Sequence, residues 1–433
     1  MKVMRFLLLF PWAMAAVGCS TLHDSRDAFQ RHASLSASNY VAYRGPHQLL
    51  TPAPEGKHPF YLSHYGRHGS RYLSHPHTYD YPFSSLQKGD SAGILTDLGK
   101  DLLQRLQLIR RDVQGRHGDL SELGARQHRQ IAQRMFNRFP EVFEGNARIT
   151  ARSTVIRRSI LSMCNAINQL AVLNPQLDID CDASKRDMYY MNFQDTILRN
   201  RRMSGRAKEA YNRFVSQREQ DEGLMMRLFT DTAAARRFTD PEQLNFQLFK
   251  IASNLQNTDL RSKVTLYDIF TDQEIYLNWQ KENAWWYINY GGSPLNGGQQ
   301  PYTQRHLLRR IIEEADSCIR LERPGASLRF GHETMVLPLV CLLDANGYGM
   351  QVEQLERLER KGWIDYKVFV MACNVQLVFY RSYPGDPDIL FKLLLNEDEA
   401  TLPLKTDNPP YYRWKDFRDY YMKKLDAFTY LPD

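Results

Sequence analysis

The sequence has few cysteines, and none of them has the spacing of a metal site. Six cysteines occur among 433 residues, and no two form the CxxC pattern that is typical of structural zinc centres. Five lie beyond Cys19, so at least one thiol stays unpaired, and an oxidising compartment would allow one or two disulfides of undetermined pairing. The five are Cys164, Cys181, Cys318, Cys341 and Cys373. A zinc centre is therefore not expected.

The sequence also lacks an apolar run long enough to cross a bilayer. Residues 6–17 are apolar and follow Lys2 and Arg5, which is typical of an export signal but too short for a transmembrane helix. The run ends in Ala-Val-Gly-Cys at Cys19, which resembles a bacterial lipobox, whose cysteine is lipidated after cleavage. The resemblance implies that residues 1–19 direct export and that a lipid on Cys19 anchors the protein at the cell envelope, in the outer membrane or the periplasm. A plain secretory signal cut nearby is the alternative.

A strong charge of either sign is absent as well. The formal net charge is +7, and part of it is concentrated between Lys185 and Arg213. Such a basic stretch favours anionic partners, although on its own a solvated helix face is the simpler explanation. No RNA-binding or helix-turn-helix pattern accompanies it, so nucleic acid is not expected as a partner.

Strand and helix patterns alternate at both ends of the chain. A buried strand is predicted at 59–65, and apolar strand patterns return near 328–330, 368–380 and 389–394. Between about 175 and 315 the chain becomes polar, basic and aromatic, with helical stretches. This alternation with an interruption predicts an α/β core that contains an inserted helical cap.

The predicted division of the chain follows from these patterns. The core would consist of residues 58–175 and 316–433, and the cap of residues 176–315. Residues 20–57 are polar and irregular, which indicates a tether that leads from the export signal.

Helix starts are marked in the first part of the core. Thr96 and Ser121 are each followed by an acidic residue and are predicted as N-caps. A third helix is expected shortly after residue 154. Its predicted inward face consists of Ile156, Ile160, Cys164 and Ile167.

The stretch SHYGRHGSR, residues 63–71, places two arginines and a histidine where the first predicted strand ends. In open α/β sheets, ligands bind at the carboxyl ends of strands. The guanidiniums of Arg67 and Arg71 would repel each other unless an anion lay between them, and arginine is suited to bidentate phosphate binding. Their charge favours a neutral, nucleophilic imidazole at His68. The turn therefore has the groups that phosphoryl transfer to histidine requires; a basic surface turn is the alternative.

A second Arg-His-Gly tripeptide, at residues 116–118, shows how little the tripeptide means alone. No strand pattern leads into it, and no second arginine follows at the spacing of Arg71. We interpret it as a loop between two helices without a catalytic role.

Two later motifs would complete a phosphate site. Arg152 lies between a predicted strand and a helix start, where free N–H groups favour phosphate. In LRFGHET, residues 328–334, another strand ends at His332 and Glu333. Glu333 could act as general acid and His332 could donate to phosphate, whereas a helix-capping glutamate is the alternative. Because Val336 interrupts HExxH, this is not a zinc-protease motif.

Taken in this order, the motifs resemble the histidine phosphatase superfamily in its acid-phosphatase branch. They are Arg67-His68-Gly69-Ser70-Arg71, then Arg152-Ser153-Thr154 with Arg158 further along, and then His332-Glu333. LSELGARQHRQIAQRMFNRFPEVF resembles the family's helix after the first strand. ILFKLLLNEDEATLPL and YYRWKDFRDYY resemble the multiple inositol-polyphosphate phosphatases, or histidine-type phytases. The resemblance implies a three-layer α/β/α core with a mixed central sheet and an inserted, mostly α-helical cap.

The resemblance also implies a mechanism. His68 would attack phosphorus and become a phosphohistidine. Glu333 would protonate the leaving oxygen and then activate water. No metal or organic cofactor would be needed. The phosphate oxygens would be held by Arg67, Arg71, Arg152 and His332.

The sequence departs from the family pattern in two places. Leu73 stands where acid phosphatases have proline, and the inositol-phosphatase branch often lacks that proline too. His332-Glu333 combines the spacing of the acid-phosphatase His-Asp pair with the glutamate of the other branch's His-Ala-Glu motif. If the motifs are aligned on the histidine, Glu333 would occupy the aspartate position with a longer arm. If they are aligned on Glu-Thr, His332 would be displaced by one residue.

Three functions agree with these patterns. The first is an exported phosphatase for phytate or other inositol polyphosphates, and the second is a broader acid phosphatase for sugar phosphates. The third is a catalytically weak lipoprotein that binds phosphorylated ligands. In the first case, basic cap residues would contact distal phosphates of the small-molecule substrate. The candidates are Arg199, Arg201, Arg202 and Arg206.

Overall fold

The computed structural model describes residues 25–219 and 221–432. The predicted export signal and Cys19 lie outside the described residues. Within the described ranges, no helix combines the length and the apolar character that a membrane span requires.

The described chain is built around a mixed sheet of eight strands. They are β1 (His58–Arg67), β2 (Arg148–Ser153), β3 (Asp178–Asp182), β4 (Gly325–Gly331), β5 (Asn374–Arg381), β6 (Leu390–Leu395), β7 (Asp398–Ala400) and β8 (Tyr411–Arg413). The sheet order is β3-β2-β4-β1-β5-β6-β7, and β8 pairs with β6. The strands β3, β2, β4 and β1 run parallel, whereas the pairs from β1 onward are antiparallel. The predicted α/β class and mixed sheet are confirmed.

Helices account for most of the remaining described chain. The α-helices are α1 (Ser25–Arg31), α2 (Pro76–Ser91), α3 (Asp97–Val113), α4 (Glu122–Arg138), α5 (Arg157–Leu173), α6 (Met188–Met191), α7 (Thr196–Arg201), α8 (Gly205–Ser216), α9 (Asp221–Leu228), α10 (Thr232–Ala235), α11 (Pro241–Leu255), α12 (Asp272–Tyr290), α13 (Arg305–Cys318), α14 (Glu333–Leu343) and α15 (Trp414–Asp426). A 3-10 helix at Ala33–Tyr40, called the N-terminal segment below, also packs onto this framework.

The predicted N-caps of α3 and α4 are confirmed. The backbone N–H of Gly99 donates to Oγ1 of Thr96 at 3.0 Å, and that of Gly124 donates to Oγ of Ser121 at 3.3 Å. Each hydroxyl thus satisfies a donor that the first turn of a helix leaves without a partner.

The inward face of α5 differs from the prediction. Of the four residues expected to point inward, only Ile167 is buried, whereas Ser159 and Ser162 are fully buried. This face of α5 lies against the carboxyl ends of β1 and β4, where backbone groups need polar partners. The N–H of Gly69 donates to Oγ of Ser162 at 3.1 Å, and Oγ of Ser159 donates to the carbonyl of Gly331 at 3.4 Å.

The buried apolar side chains form two clusters, one around the sheet and one among helices. The second cluster combines α2 and α3 with residues of α9, α11 and α12. The helical layer is therefore assembled from two separate stretches of chain, rather than from the predicted insertion at 176–315 alone. In addition, β3 joins the sheet at Asp178–Asp182, beyond the predicted start of the cap.

The stretch predicted as a tether packs against the protein over residues 25–40. Phe29 of α1 contacts the ring of Trp279 at a centroid distance of 5.1 Å, and Ala37 and Asn39 are buried. This packing could not be predicted from composition, because only a few apolar side chains of residues 25–40 make the contacts.

The cysteines form no disulfide in the described chain. All five beyond residue 24 are free thiols, with Cys341 and Cys373 buried and Cys181 exposed. The disulfides that an oxidising compartment would allow are therefore not formed in this structure.

Candidate active site

His68 lies directly after β1, at the carboxyl end of the parallel strands. Its backbone N–H donates to the carbonyl of Gly331, which ends β4, at 2.9 Å. A side chain at Gly69 would collide with α4, because a Cβ there would lie 2.4 Å from the carbonyl oxygen of Gly124. Strand pairing and this close helix contact fix the turn that presents the imidazole.

The imidazole of His68 is set up for attack through Nε2. Nδ1 lies 2.9 Å from the carbonyl oxygen of Gly69, which can only accept, so Nδ1 carries the proton and Nε2 has a free lone pair. Nε2 is buried and has no hydrogen-bond partner among residues 25–219 and 221–432. The ring therefore points a neutral nucleophilic nitrogen into the site.

Arg67 and Arg71 supply unpaired donors beside this nitrogen. Nη1 of Arg67 donates to the carbonyls of Phe369, at 3.1 Å, and Asn39, whereas its buried Nη2 has no partner in the described chain. Nη1 of Arg71 donates to the carbonyl of Tyr72 at 2.9 Å, and its buried Nε is likewise without a described partner. Such orphaned guanidinium donors are matched to the oxygens of an anion.

The third arginine of the site is Arg158, not Arg152. Arg152 lies within β2, where Nη2 donates to Oδ2 of Asp180 on the neighbouring strand at 2.8 Å. Its charge is therefore neutralised away from His68. Arg158, in the first turn of α5, has a buried Nε without a partner in the described residues, and its charge acts on His68. Burial, together with the charge of Arg71, lowers the pKa of Arg158 to about 10.

His332 and Glu333 close the site from the junction of β4 and α14. Nε2 of His332 lies 3.2 Å from Oγ1 of Thr154, and its ring centroid is 5.7 Å from that of His68. Oε2 of Glu333 lies 3.8 Å from Nε2 of His68 and 2.9 Å from Nε of Arg67. From the position directly after His332, the glutamate arm is thus long enough to bring Oε2 close to Nε2 of His68.

Burial and charge set the protonation of these groups. Burial lowers the pKa of His68 well below its ordinary value, and the charges of Arg67 and Arg158 lower it further. Burial lowers the pKa of His332 to about 4, despite the opposing charge of Glu333. Burial alone would raise the pKa of Glu333, but the charges of Arg67 and Arg71 outweigh it and lower that pKa to about 2. Without a bound anion, the site therefore holds neutral histidines and an ionised glutamate.

These six side chains, called the cationic pocket below, are Arg67, His68, Arg71, Arg158, His332 and Glu333. Within the described parts of the chain, the candidate group for a metal ion is His68, His332 and Glu333, whose donor atoms lie within 4.8 Å of one another. Three guanidiniums surround that group, and their charge favours an anion over a cation.

Of the predicted distal arginines, Arg202 shares a neighbour, Tyr290, with Glu333 of this pocket. Its guanidinium stacks on the ring of Tyr290 at 4.2 Å, and Tyr290 in turn feels the charge of Glu333. Arg206 forms an ion pair with Glu353, and Arg199 is exposed. Arg201 is half-buried at the end of α7. The structure therefore does not gather the four into one group around the site.

Two site residues have no role in the sequence analysis. Arg158 belongs to the motif that resembles the family, but the phosphate contact is expected from Arg152; its place in the first turn of the helix after β2, where an anion is favoured, is the signal that could have assigned it a role. Asn39 gave no local signal: it lies in the N-terminal segment, yet its Nδ2 donates to Oε1 of Glu333 at 3.3 Å.

Several solved structures are similar to this chain over most of its length. A multiple inositol polyphosphate phosphatase from Bifidobacterium longum, in complex with phosphate, has a TM-score of 0.75 at 16% identity, covering 90% of this chain and 98% of that chain. The chain has the fold of these phosphatases. The same enzyme in complex with inositol hexasulfate has a TM-score of 0.73 at 16% identity, with coverage of 89% and 97%. A phytase from D. castellii has a TM-score of 0.65 at 15% identity, with coverage of 91% and 85%.

The relation to the phosphatase fold is visible in structure and faint in sequence. No protein-family model matches the chain, and no curated protein matches it. At 15–16% identity the shared architecture extends over about nine-tenths of the chain.

Proposed function

We propose that the protein is a phosphomonoesterase that hydrolyses inositol polyphosphates, such as phytate, through a phosphohistidine on His68. The observation that carries the proposal is the free Nε2 of His68, buried among the unpaired donors of Arg67, Arg71 and Arg158. A nucleophile and anion-binding donors at one point are the two requirements of phosphoryl transfer to histidine.

The first step transfers the phosphoryl group to the enzyme. Nε2 of His68 forms a bond to phosphorus while the bond from phosphorus to the ester oxygen breaks. The guanidiniums stabilise the charge that develops on the equatorial oxygens, an effect worth about 100- to 1000-fold in rate for one well-placed donor. In the second step water attacks phosphorus, the bond to Nε2 breaks, and phosphate leaves.

Glu333 moves the protons of both steps. Its pKa of about 2 belongs to the pocket without an anion, in which Arg67 and Arg71 act on it undiminished. A bound phosphate neutralises these cations and so raises that pKa. A monoanionic phosphate ester, abundant below about pH 6, also brings the proton that Glu333 needs. The proton then passes to the ester oxygen, and Glu333 accepts another from water.

Inositol polyphosphates are supported as substrates by two features. The Bifidobacterium longum enzyme of the same fold has been solved with inositol hexasulfate, a sulfated analogue with six anionic groups. In this chain, Arg202 on Tyr290 offers a cation outside the cationic pocket.

A broader phosphatase for sugar phosphates is the second candidate, and one cavity favours it. The cavity, of about 550 Å³, is lined by Tyr40, whose ring lies 5.6 Å from the guanidinium carbon of Arg71. Its charged lining residues are Glu219, Asp240, Glu242, Lys250, Lys281 and Glu282. Carboxylates outnumber lysines there, so this cavity would not attract additional phosphates.

One kinetic experiment tests both the preferred substrate and the role of His68 as the nucleophile. Phosphate release from inositol hexakisphosphate and from 4-nitrophenyl phosphate is measured between pH 4 and 7 for the full chain and for His68→Ala. A much higher kcat/KM for the hexakisphosphate, lost in His68→Ala, supports the proposal. Turnover of the aryl ester alone supports the second candidate. Binding of inorganic phosphate without turnover of either ester supports a binding protein instead.

The location of the protein is a separate proposal. The lipobox-like sequence before Cys19 supports export and a lipid anchor at the bacterial cell envelope. Expression of the full chain and of Cys19→Ser in a bacterial host, followed by detergent partitioning, tests the anchor. The wild type should enter the detergent phase, and Cys19→Ser should remain in the aqueous phase. Equal partitioning of the two would contradict lipidation at this residue.

A further inference from the structure

Asn39 connects the N-terminal segment to the proton-transferring group. The residue is only 5% exposed. Its Nδ2 donates to Oε1 of Glu333 at 3.3 Å, and its backbone carbonyl accepts from Nη1 of Arg67. One residue thus contacts both the carboxylate and the guanidinium that lies beside it.

The N-terminal segment is held in place from the helical layer. Ser38 has a φ of 53°, in the region that non-glycine residues rarely adopt. Its Oγ donates to Oδ2 of Asp365 at 2.5 Å, and Oδ1 of Asp365 accepts from Nε1 of Trp279 at 2.9 Å. The carbonyl of Tyr40 accepts from Nδ2 of Asn257 at 2.7 Å. The residues on both sides of Asn39 are therefore tied to the protein, which fixes the amide.

The contacts of Glu333 distinguish its two carboxyl oxygens. Oε1 accepts the amide hydrogen bond, and Oε2 is the oxygen near Nε2 of His68, at 3.8 Å. Arg67 approaches Oε2 as a charge, without an aligned hydrogen bond. An amide N–H can only donate, so Oε1 remains an acceptor when the group takes up a proton. The proton then resides on Oε2, the carboxyl oxygen that lies near Nε2 of His68.

We propose that Asn39 is a positioning residue that orients Glu333, so that Oε2 carries the proton given to the leaving oxygen. The inference rests on the proposed phosphatase function. In the transfer step, the proton moves from Oε2 to the ester oxygen as the bond from that oxygen to phosphorus breaks and Nε2 of His68 bonds to phosphorus. Asn39 itself exchanges no proton.

The effect of such a residue depends on the leaving group. Alkyl alcohols leave poorly without a proton, whereas 4-nitrophenol leaves well as an anion, so general-acid catalysis matters mainly for the former. Asn39→Ala should lower kcat for glycerol 2-phosphate by roughly 30- to 100-fold, because misplacement by about 1 Å costs on that order. The loss for 4-nitrophenyl phosphate should stay below about threefold. The exposed Asn137 of α4 provides the matched control, Asn137→Ala, which should leave both rates unchanged.

A second variant, Asn39→Asp, keeps the shape of the side chain but replaces the neutral amide donor with a negatively charged carboxylate. Asn39→Asp places a carboxylate beside Glu333, which disfavours the charged form of Glu333 and raises its pKa. The alkaline limb of the kcat profile for glycerol 2-phosphate should therefore move to higher pH, by roughly half to one unit. This variant also decides the question should Asn39→Ala fail to fold. In the described chain, the charged or titratable groups that act on Glu333 are Tyr65, Arg67, His68, Arg71, Arg158, Tyr290, His332 and Cys373.

The outcomes separate this inference from the proposed function. If Asn39→Ala lowers both substrates equally, or raises KM while kcat is unchanged, Asn39 has a structural or substrate-binding role and the inference is wrong. An unmoved pH profile in Asn39→Asp overturns it as well. If instead the wild type hydrolyses neither ester, or His68→Ala remains active, the proposed function fails at its nucleophile, and the inference fails with it.

Discussion

Arg67-His68-Gly69 and Arg116-His117-Gly118 place the same three residue types at two points that are close in the fold. The N–H of Gly118 donates to the carbonyl of Leu73 at 3.1 Å, a few residues after the first tripeptide. The first tripeptide follows a strand, and both Arg67 and His68 are fully buried. The second lies in the turn between α3 and α4, as predicted, and Arg116 forms an ion pair with Asp259 at 3.0 Å.

The comparison shows that backbone context, more than residue type, creates the site. At the end of β1, the strands pair with the chain on both sides and bury Arg67. Its Nη2 has no partner in the described chain, and its acidic neighbour, Glu333, belongs to the same pocket. In the helix–helix turn, an acidic neighbour satisfies Arg116 and the aromatic ring of Tyr72 covers it. Unsatisfied buried cations are costly without an anion, so they mark a binding site; satisfied ones mark a structural contact.

Substitution of the two histidines gives the largest expected difference. His68→Ala removes the proposed nucleophile and should lower kcat/KM for 4-nitrophenyl phosphate by at least about a thousandfold. His117→Ala should leave kcat/KM within about twofold, since His117 only packs against the ring of Tyr79 at 5.8 Å. Steady-state kinetics of the two purified variants, with circular dichroism as a folding check, makes the comparison. Equal losses would refute the distinction between the tripeptides.

Arg158 and Arg152 allow the same comparison for the third arginine of the site. Arg158→Ala removes an unpaired donor of the cationic pocket and should lower kcat for an aryl phosphate by roughly a hundredfold. Arg152→Ala removes ion pairs with Asp180 and Asp187 and hydrogen bonds to backbone carbonyls, but no donor of the cationic pocket, and should change kcat by less than about threefold. Isothermal titration with inorganic phosphate gives a second readout, in which only Arg158→Ala should weaken binding. The reverse order would restore Arg152 to the site.

The sequence was sufficient to identify those site residues that directly follow a predicted strand. His68, Arg67 and Arg71 follow one strand, and His332 and Glu333 follow another, so a strand pattern and a polar ending placed them together at one edge of the sheet. The mixed α/β fold was predictable for the same reason. The two-part helical layer was not, because α2 and α3 carry amphipathic patterns that do not show which neighbour they will cover.

The missing site residues depend on contacts that are distant in sequence. Arg152 and Arg158 flank the same strand-to-helix junction, and the choice between them depends on Asp180 of the neighbouring strand. Asn39 reaches the site only because Ser38 is tied to Asp365, 327 residues later. No local sequence pattern indicates that Asp180 or Asp365 makes these contacts.

A smaller effect is expected on stability, from histidines packed behind the first tripeptide. His64 and His128 lie against the ring of Phe330, and burial lowers their pKa values to about 3 and about 4. Below the ordinary histidine pKa of about 6.5, the unfolded chain binds protons that the folded chain does not, so stability is lost as pH falls from there toward 4.

His128→Gln isolates one of these contributions. A single histidine that stays neutral in the folded protein adds up to about 1.4 kcal/mol per pH unit to the slope of the free energy of unfolding against pH. In His128→Gln this slope should be smaller by up to that amount between about pH 4.5 and 6. Denaturant unfolding of both proteins at several pH values measures the slope. An unchanged slope would mean that His128 takes up a proton in the folded protein.

The smallest effect should come from the second tripeptide itself. Arg116 stacks on Tyr72 at 4.2 Å, and Tyr72 also donates from its hydroxyl to Asp259, at 3.1 Å. Arg116→Ala should therefore reduce the free energy of unfolding by about 1 kcal/mol, the usual size of a half-exposed ion pair with a cation–π contact. Tyr72 is the neighbour of Arg71 in sequence. Measuring kcat/KM of Arg116→Ala therefore shows whether the contacts of Arg116 with Tyr72 and Asp259 also stabilise the cationic pocket. A change below about threefold assigns Arg116 to stability alone, whereas a tenfold loss would show that the second tripeptide supports the first.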